Sequence, residues 1–301
     1  MKIWILDKEK SKESNWIKKL LQEWLNKWLD IEFIAIEDIE LVINANFDEK
    51  LFIKNQKVKL PDLVIPRMDN SYQIKSIIDF MENQGINIIN SNKSRLLAND
   101  KFLSLQKLAS NRIPVPKTML LKWIPSIDFI EKQLSYPIII KKLDWHAWKW
   151  IIKVNNNQEL EDILEMLEES LSKLNNNLIV QEYIWEKAWQ DLRIFLVWGR
   201  IVGSMLRKWR EWDFKANFSW WWSVYAHELN ETEEILAIET ANIIWLDIAW
   251  VDLLFDKDSW YKICEVNASP GWKWLEQATW VNIAWEIINY IIKRYNITTN
   301  N

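Results

Sequence analysis

Glycine is nearly missing from this chain: its 301 residues hold only four, where ordinary usage of about 7% would supply on the order of 21. Cysteine is rarer still. A single Cys264 excludes an internal disulfide and a cysteine-cluster zinc site, and its apolar neighbours on a predicted strand make it a core residue rather than a reactive thiol. Only two histidines occur, His146 and His227; neither has a partner visible in the sequence, and both read as surface residues. No apolar run approaches the ~20 residues a membrane span needs. The N-terminus MKIWILDKEKSKESN also turns polar too soon for a secretory signal, so the expected location is the cytoplasm. Nor is there an excess of positive charge. With 38 Lys and Arg against 42 Asp and Glu, the chain lacks the basic footprint that tracks a nucleic-acid backbone.

Tryptophan is what the chain has in excess, with 23. The counts of tryptophan and glycine look exchanged, and so do their positions. Tryptophans fill LDWHAWKW (143–150), FSWWWS (218–223), KDSWYK (257–262) and ATWVN (278–282), where turns and close backbone approaches call for a residue that reaches positive φ without steric cost. Trp198-Gly199 separates two β-type runs as a two-residue hairpin turn would, and such turns favour Gly-Gly or Asn-Gly. The expectation is that most of these tryptophans are glycine in the living protein, its gene reading UGA as glycine. Abundant Ile, Lys and Asn, with AT-rich codons, agree with this. The plain alternative is a tryptophan-rich protein that uses its rings for stacking. Trp4, inside a strand, and Trp272 fit as true tryptophans.

The first hundred residues alternate β-branched runs (2–5, 31–36, 63–65, 86–89) with amphipathic helices at 16–29 and 74–81, a βαβ rhythm that implies a parallel sheet covered by helices. After Ser91 one helix carries Leu97, Phe102, Leu105 and Leu108 until IPVPKT (113–118) breaks it. Farther on, strands at 137–141 and 151–154 flank the tryptophan-studded loop as a hairpin. A helix over 160–174, a strand at 178–180 and a hairpin over 192–205 follow. Asn230 and Glu233 stand in capping-box spacing ahead of a helix to 244. Strands at 251–255 and 261–266 and a helix at 283–293 complete the chain. Three units are expected: an open α/β unit over 1–96, a central α+β lid over 97–186, and a larger α+β unit over 187–301.

The most specific segment is CEVNASPG (264–271). Glu265 and Asn267, two apart on a strand, project from one face. Antiparallel pairing with the preceding strand VDLLF would bring Asp252 beside Glu265. Two carboxylates and an amide oxygen make a hard-oxygen set suited to Mg2+. The plain alternative is a polar strand end with ordinary capping, and spacing alone does not choose between them. Lys141 precedes D-W-H-A-W-K-W; read with glycine at 145, 148 and 150, this is a G-x-x-G-x-G between two strands. That context fits a flap folding backbone N–H groups over phosphates, not a dinucleotide fingerprint, which opens a helix. VQEYI (180–184) ends a strand with Glu182 and Tyr183, a hinge able to present main-chain groups to an adenine edge.

In order and spacing, DKFLSLQKLASNRIPVPKT, PIIIKKLDWHAWKWI, VQEYI, DLR, WDFKANFSWWWSV, AWVDLL and EVNASPGWKWLEQATWVNIAWEI resemble the ATP-grasp family, specifically its RimK-type glutamate ligases. Reading Trp250, Trp274, Trp280 and Trp285 as glycine improves the resemblance each time. It implies an ATP-grasp fold, α/β and α+β, behind an open N-terminal α/β domain. Residue by residue, it implies that Lys101 and Lys141 contact ATP phosphates, that Glu182 and Tyr183 form the adenine hinge, and that Asp191 contacts the nucleotide. It implies that Lys215 and Asn217 line the ATP and substrate site, that Arg207 steadies the reacting carboxylate, and that Asp252, Glu265 and Asn267 hold Mg2+ or Mn2+. The family would have an arginine at Trp220, and this departure bears on acceptor or glutamate specificity. The implied chemistry is ATP-dependent amide formation through an acyl phosphate, most simply adding L-glutamate to a protein or peptide amine acceptor, in a possible homo-oligomer. Two other readings stay open: a ligase for another amino acid or a carrier protein, and a nucleotide-binding module that has lost catalysis.

Overall fold

The computed structural model describes residues 1–25, 27, 30–44, 50–67, 71–121, 126–143, 151–174, 178–184, 186–187, 190–208 and 223–297. The chain opens with β1 (Lys2–Asp7), α1 (Asn15–Leu25), β2 (Asp30–Ala35), β3 (Ile39–Val42), β4 (Lys50–Ile53), β5 (Gln56–Lys57), β6 (Leu63–Pro66), α2 (Tyr72–Asn83) and β7 (Asn87–Ile88). β1, β2, β6 and β7 form the expected parallel sheet in the order β2-β1-β6-β7. The small antiparallel sheet β3-β4-β5 was not expected, because its strands are short and carry no turn glycine.

α3 (Asn92–Asn99) and α4 (Lys101–Ser110) replace the single helix expected after Ser91. Asp100 divides them. Its extended backbone ends α3, and its carboxylate accepts hydrogen bonds from the N–H groups of Phe102 and Leu103, which caps α4. Then come β8 (Thr118–Leu121), α5 (Ile127–Gln133), β9 (Ile138–Lys142), β10 (Ile151–Val154), α6 (Asn157–Leu174) and β11 (Leu178–Glu182). β10-β9-β11-β8 is an antiparallel sheet whose apolar face packs with Ile130, Leu160 and Leu164 of α5 and α6. The last part holds β12 (Gln190–Val197), β13 (Arg200–Lys208), β14 (Ser223–Ala226), α7 (Glu231–Ile243), β15 (Ile248–Asp256), β16 (Trp260–Asn267), α8 (Lys273–Thr279) and α9 (Ile283–Arg294). A separate five-stranded antiparallel sheet, β14-β13-β12-β15-β16, is its centre. The capping box of α7 forms as read from Asn230 and Glu233. His227 is not a lone surface residue, since its ring lies 3.0 Å from the buried Glu233 carboxylate.

Each face of the five-stranded sheet has its own core. Leu192, Ile194, Val251, Leu253 and Ile263 pack with Leu236, Ala237 and Ala241 of α7. On the opposite face, Phe195, Val197, Met205 and Trp250 join Ile3 and Ile5 of β1, Leu20 and Trp24 of α1 and Ile287, Ile288 and Ile291 of α9. The N-terminal sheet thus shares a core with the last sheet, which fixes their mutual position. Buried Asn90, just after β7, fastens this junction. Its amide nitrogen donates to the carbonyls of Ile248 (2.7 Å) and Ala268 (2.8 Å), and its amide oxygen accepts from the N–H groups of Asp247 (2.7 Å) and Ile248 (2.9 Å). Truncation orphans buried backbone groups that cost about 1–3 kcal/mol each, so Asn90→Ala is expected to lower stability by roughly 3 kcal/mol or more, measured by denaturant unfolding.

Tryptophan occupies left-handed backbone at Trp198 (φ 51°), Trp245 (60°), Trp260 (67°) and Trp280 (60°). Trp198 and Gly199 (φ 66°) are the two turn residues between β12 and β13, the pattern of a type I′ hairpin. Trp245 follows Ile244, the C-cap of α7, with the Leu246 N–H bonded to the Ala241 carbonyl, and Trp280 is the left-handed C-cap of α8. Glycine is the usual residue at such helix ends. Trp280 is 91% exposed and Trp260 74%, so neither ring is placed by packing. Trp4 and Trp272, in contrast, are fully buried.

Candidate active site

On the sheet face that carries Phe195, Met205 and Trp250, the apolar side chains give way to charge toward one end. Strand parity places Asp191 and Arg193 of β12, Arg207 of β13 and Asp252 of β15 on this face, since residues directly opposite or two apart on a ladder share a side. The register sets Asp191 opposite Arg207, Arg193 opposite Asp252 and Asp252 opposite Glu265. A charged cluster therefore crosses four strands, alternating in sign from Arg207 to Asp252 and ending on a second carboxylate, Glu265.

β16 reaches this row through a bulge. Leu253 pairs with Ile263, yet Asp252 pairs with Glu265, so Cys264 is the extra residue. An unbroken ladder would set Cys264 against Asp252 and turn Glu265 toward the opposite core; the bulge reverses the parity of every residue after it. Ile263 and Val266 then both pack with α7, and Glu265 and Asn267 both join Asp252. Burial pushes the Cys264 thiol above its ordinary value, which agrees with an inert cysteine.

Ion pairs hold the row. Arg193 grips Asp252 with two hydrogen bonds, Nε to Oδ1 at 2.8 Å and Nη2 to Oδ2, and reaches to 4.0 Å from Glu265. Arg207 binds Asp191 in the same two-pronged way, with Nε to Oδ1 at 2.7 Å, and its Nη2 lies 3.1 Å from Asp252 Oδ2. Burial pushes the Arg207 guanidinium down, but Asp191 and Asp252 outweigh it and the net direction is up, so Arg207 stays charged. Lys101, the first residue of α4, comes within 3.7 Å of Glu265. Asp252 is 1% exposed, so its position is set by these partners and not by solvent.

The central sheet supplies the other predicted groups. Lys141 lies near the end of β9, and its ammonium donates to Gln181 Oε1 at 2.7 Å. Its charge acts to lower the Cys264 thiol on β16, against the larger effect of burial. Glu182 accepts from the Lys117 N–H (2.7 Å) and from Lys262 Nζ (2.6 Å), tying the end of β11 to β16. Its side chain is thus a strap between the two sheets. The half-buried Tyr183 ring carries Lys153 Nζ at 4.5 Å from its centroid, and burial raises its phenol. Lys215, Asn217 and the loop with Trp145, Trp148 and Trp150 lie outside the described residues, as do Trp220, Trp221, Trp222 and His146.

Asp252, Glu265 and Asn267 share one face, as expected, but by way of the bulge and not of strand spacing alone. Two carboxylates and an amide are a fitting donor set for a hard divalent cation. Among the described residues, however, no group of three or more His, Cys, Asp and Glu side chains is arranged to hold a metal. A set of two carboxylates and one amide falls outside that description, and a Mg2+ ion held by it would take its remaining ligands from water and phosphate oxygens, as Mg2+ commonly does. Sequence reasoning missed Arg193 and Gln181. The signal for Arg193 was present in D-L-R, where an acid and a base two apart share a strand face; Gln181 carried none, being one polar residue in an apolar strand.

Residues 98–291, more than half of the chain, match the family model of the RimK-like ATP-grasp domain. The chain is 30% identical over 243 residues to a probable alpha-L-glutamate ligase of Legionella pneumophila, covering 80% of this chain and 79% of that relative. Among solved structures it resembles the RimK domain protein ATP-grasp from Sphaerobacter thermophilus, with a TM-score of 0.73 and 15% identity over 96% of this chain and 99% of that one. It also resembles the ATP-grasp ligase PsnB complexed with minimal precursor, Mg and ADP, with a TM-score of 0.73 and 14% identity over 97% and 96%. Family match, fold and charged row converge: the chain belongs to the RimK-like ATP-grasp family and is an ATP-dependent ligase.

Proposed function

We propose that this ligase joins L-glutamate to a protein or peptide acceptor by forming an amide through an acyl phosphate, using ATP and Mg2+ or Mn2+. The observation that carries the reading is the charged cluster Arg207–Asp191–Arg193–Asp252–Glu265, with Asn267 beside it and Lys101 in contact with it. ATP lies between the central sheet and the five-stranded sheet, its adenine at the backbone after Glu182 and its phosphates toward Lys101 and Lys141. This division corresponds to units at 1–96, 97–186 and 187–301. Relatives named as probable alpha-L-glutamate ligases support glutamate, and the structure of PsnB with a precursor supports a peptide partner.

In the first step a substrate carboxylate oxygen attacks the γ-phosphorus of ATP, the bond to the β-phosphate oxygen breaks, and ADP leaves. Arg207, held charged by Asp191 and Asp252, steadies that carboxylate, and the family resemblance assigns Lys215 and Asn217 to the ATP and substrate site. In the second step an amine attacks the acyl carbon, phosphate departs with the oxygen that came from the carboxylate, and the amine loses a proton. Asp252, Glu265 and Asn267 would hold a divalent cation, which would supply charge neutralisation for the phosphates. Catalysis is then positioning plus electrostatics, and no side-chain nucleophile is required. The test is ADP release by protein carrying glycine at positions 145, 148, 150, 221 and 222, screened with amino acids and acceptor peptides. Stimulation by L-glutamate is expected; stimulation by another amino acid redirects the specificity, and none at all leaves a nucleotide-binding module.

A further inference from the structure

We propose that Gln181 is a positioning residue that aims Lys141 at the ATP phosphates without cancelling its charge; this rests on Lys141 being a phosphate lysine. Gln181 of β11 sits opposite Thr118 of β8 on one side and opposite Ile139 of β9 on the other, while Lys141 sits opposite Ile179. By this register, Thr118, Gln181 and Lys141 share one face of the central sheet, in a row across three strands. Gln181 is 2% exposed, and a buried amide stays there at low cost only when both ends are bonded.

Each bond in the row dictates the next. The Thr118 hydroxyl donates its one hydrogen to the Pro116 carbonyl at 2.8 Å. Toward Gln181 it can then only accept, and it does so from Gln181 Nε2 at 2.8 Å. With its NH2 group directed to Thr118, the amide presents its oxygen to the other side, where Lys141 Nζ donates at 2.7 Å. This acceptor occupies one of the three donors of the ammonium and holds it by a dipole rather than an opposite charge. A carboxylate at 181 would fit the same space but form an ion pair, and the pull of the lysine on phosphate oxygens would fall.

The experiment measures binding of Mg2+-ATP and of AMP by calorimetry to full-length protein with glycine at positions 145, 148, 150, 221 and 222. Because hydrogen bonds to charged groups contribute more than neutral ones, Gln181→Glu is expected to weaken ATP by roughly tenfold or more and leave AMP within about twofold. Thr118→Val, which removes the acceptor that orients the amide, is expected to give a smaller loss in the same direction. Lys141→Ala serves as the reference. If Lys141→Ala weakens ATP but both other variants bind it normally, the positioning role is overturned. Equal losses of ATP and AMP also overturn it, because a residue that merely supports the fold does not distinguish them. Unchanged ATP binding by Lys141→Ala instead overturns the underlying assignment of the lysine.

Discussion

Glu265→Ala is expected to abolish ADP release and leave the fold intact. The two halves of this result come from different observations. Glu265 is partly exposed and its ion pairs are long, 3.7 Å to Lys101 and 4.0 Å to Arg193, so losing them removes at most about 1 kcal/mol of stability. Its carboxylate nevertheless stands opposite Asp252 at the head of the bulge, where a charged ligand for the cation and its phosphates is lost. The same substitution at Asp252 would be a poorer test. Asp252 is buried between Arg193 and Arg207, and stripping a partner from a buried charge network costs about 3–5 kcal/mol, so lost activity there would not be separable from lost structure. The loss at Glu265 should exceed that of Lys215→Ala, and added Mg2+ should restore little. ADP release near the parent rate, with an unchanged unfolding midpoint, would make Asp252, Glu265 and Asn267 structural residues.

The second large effect concerns the tryptophans. We infer that those in glycine's places are glycine in the living protein, and Trp198, Trp245, Trp260 and Trp280 carry the physical case, because left-handed backbone costs a residue with a Cβ about 1–2 kcal/mol. The intact mass of the native protein should fall below that of a chain with 23 tryptophans by a whole multiple of the Trp-to-Gly difference, and an unshifted mass ends the idea. Activity should follow. In sequence, positions 145, 148 and 150 follow directly on Lys141, which the proposed function sets at the ATP phosphates. Protein made with tryptophan at 145, 148, 150, 221 and 222 is expected to release almost no ADP, and glycine at those five positions to restore release. Equal activity in the two proteins would mean that the indoles are compatible with catalysis.

Much of this site was legible because its geometry is local. Glu265 and Asn267 share a face by strand periodicity alone, and Asp252 sits one hairpin away, although only the bulge turns the pair to its side. The hairpin at Trp198-Gly199 and the capping box at Asn230 were equally plain, each being fixed within a few residues. What stayed hidden depends on distant partners. The bulge at Cys264 is set by two cores that demand Ile263 and Val266 on one side, and nothing in KICEVN announces it. Asn90 reads as a loop residue until Asp247, Ile248 and Ala268 are brought to it. Asp100 was passed over inside a helical pattern because its neighbours keep helical spacing on either side. Asp191 shows the same limit within the site: its carboxylate lies against Arg207, a pairing the sequence separation does not reveal.

The central claim is that a carboxylate is activated by phosphorylation and then captured by an amine. Heavy oxygen tests this directly. With glycine at positions 145, 148, 150, 221 and 222, the enzyme is supplied with ATP and an acceptor peptide, and the carboxylates of L-glutamate and of the peptide are labelled in turn. Label from one of them is expected to appear in the released phosphate, with one labelled oxygen transferred for each amide formed. Phosphate that draws its new oxygen only from water, whichever carboxylate is labelled, would show that ATP is merely hydrolysed and would contradict the claim.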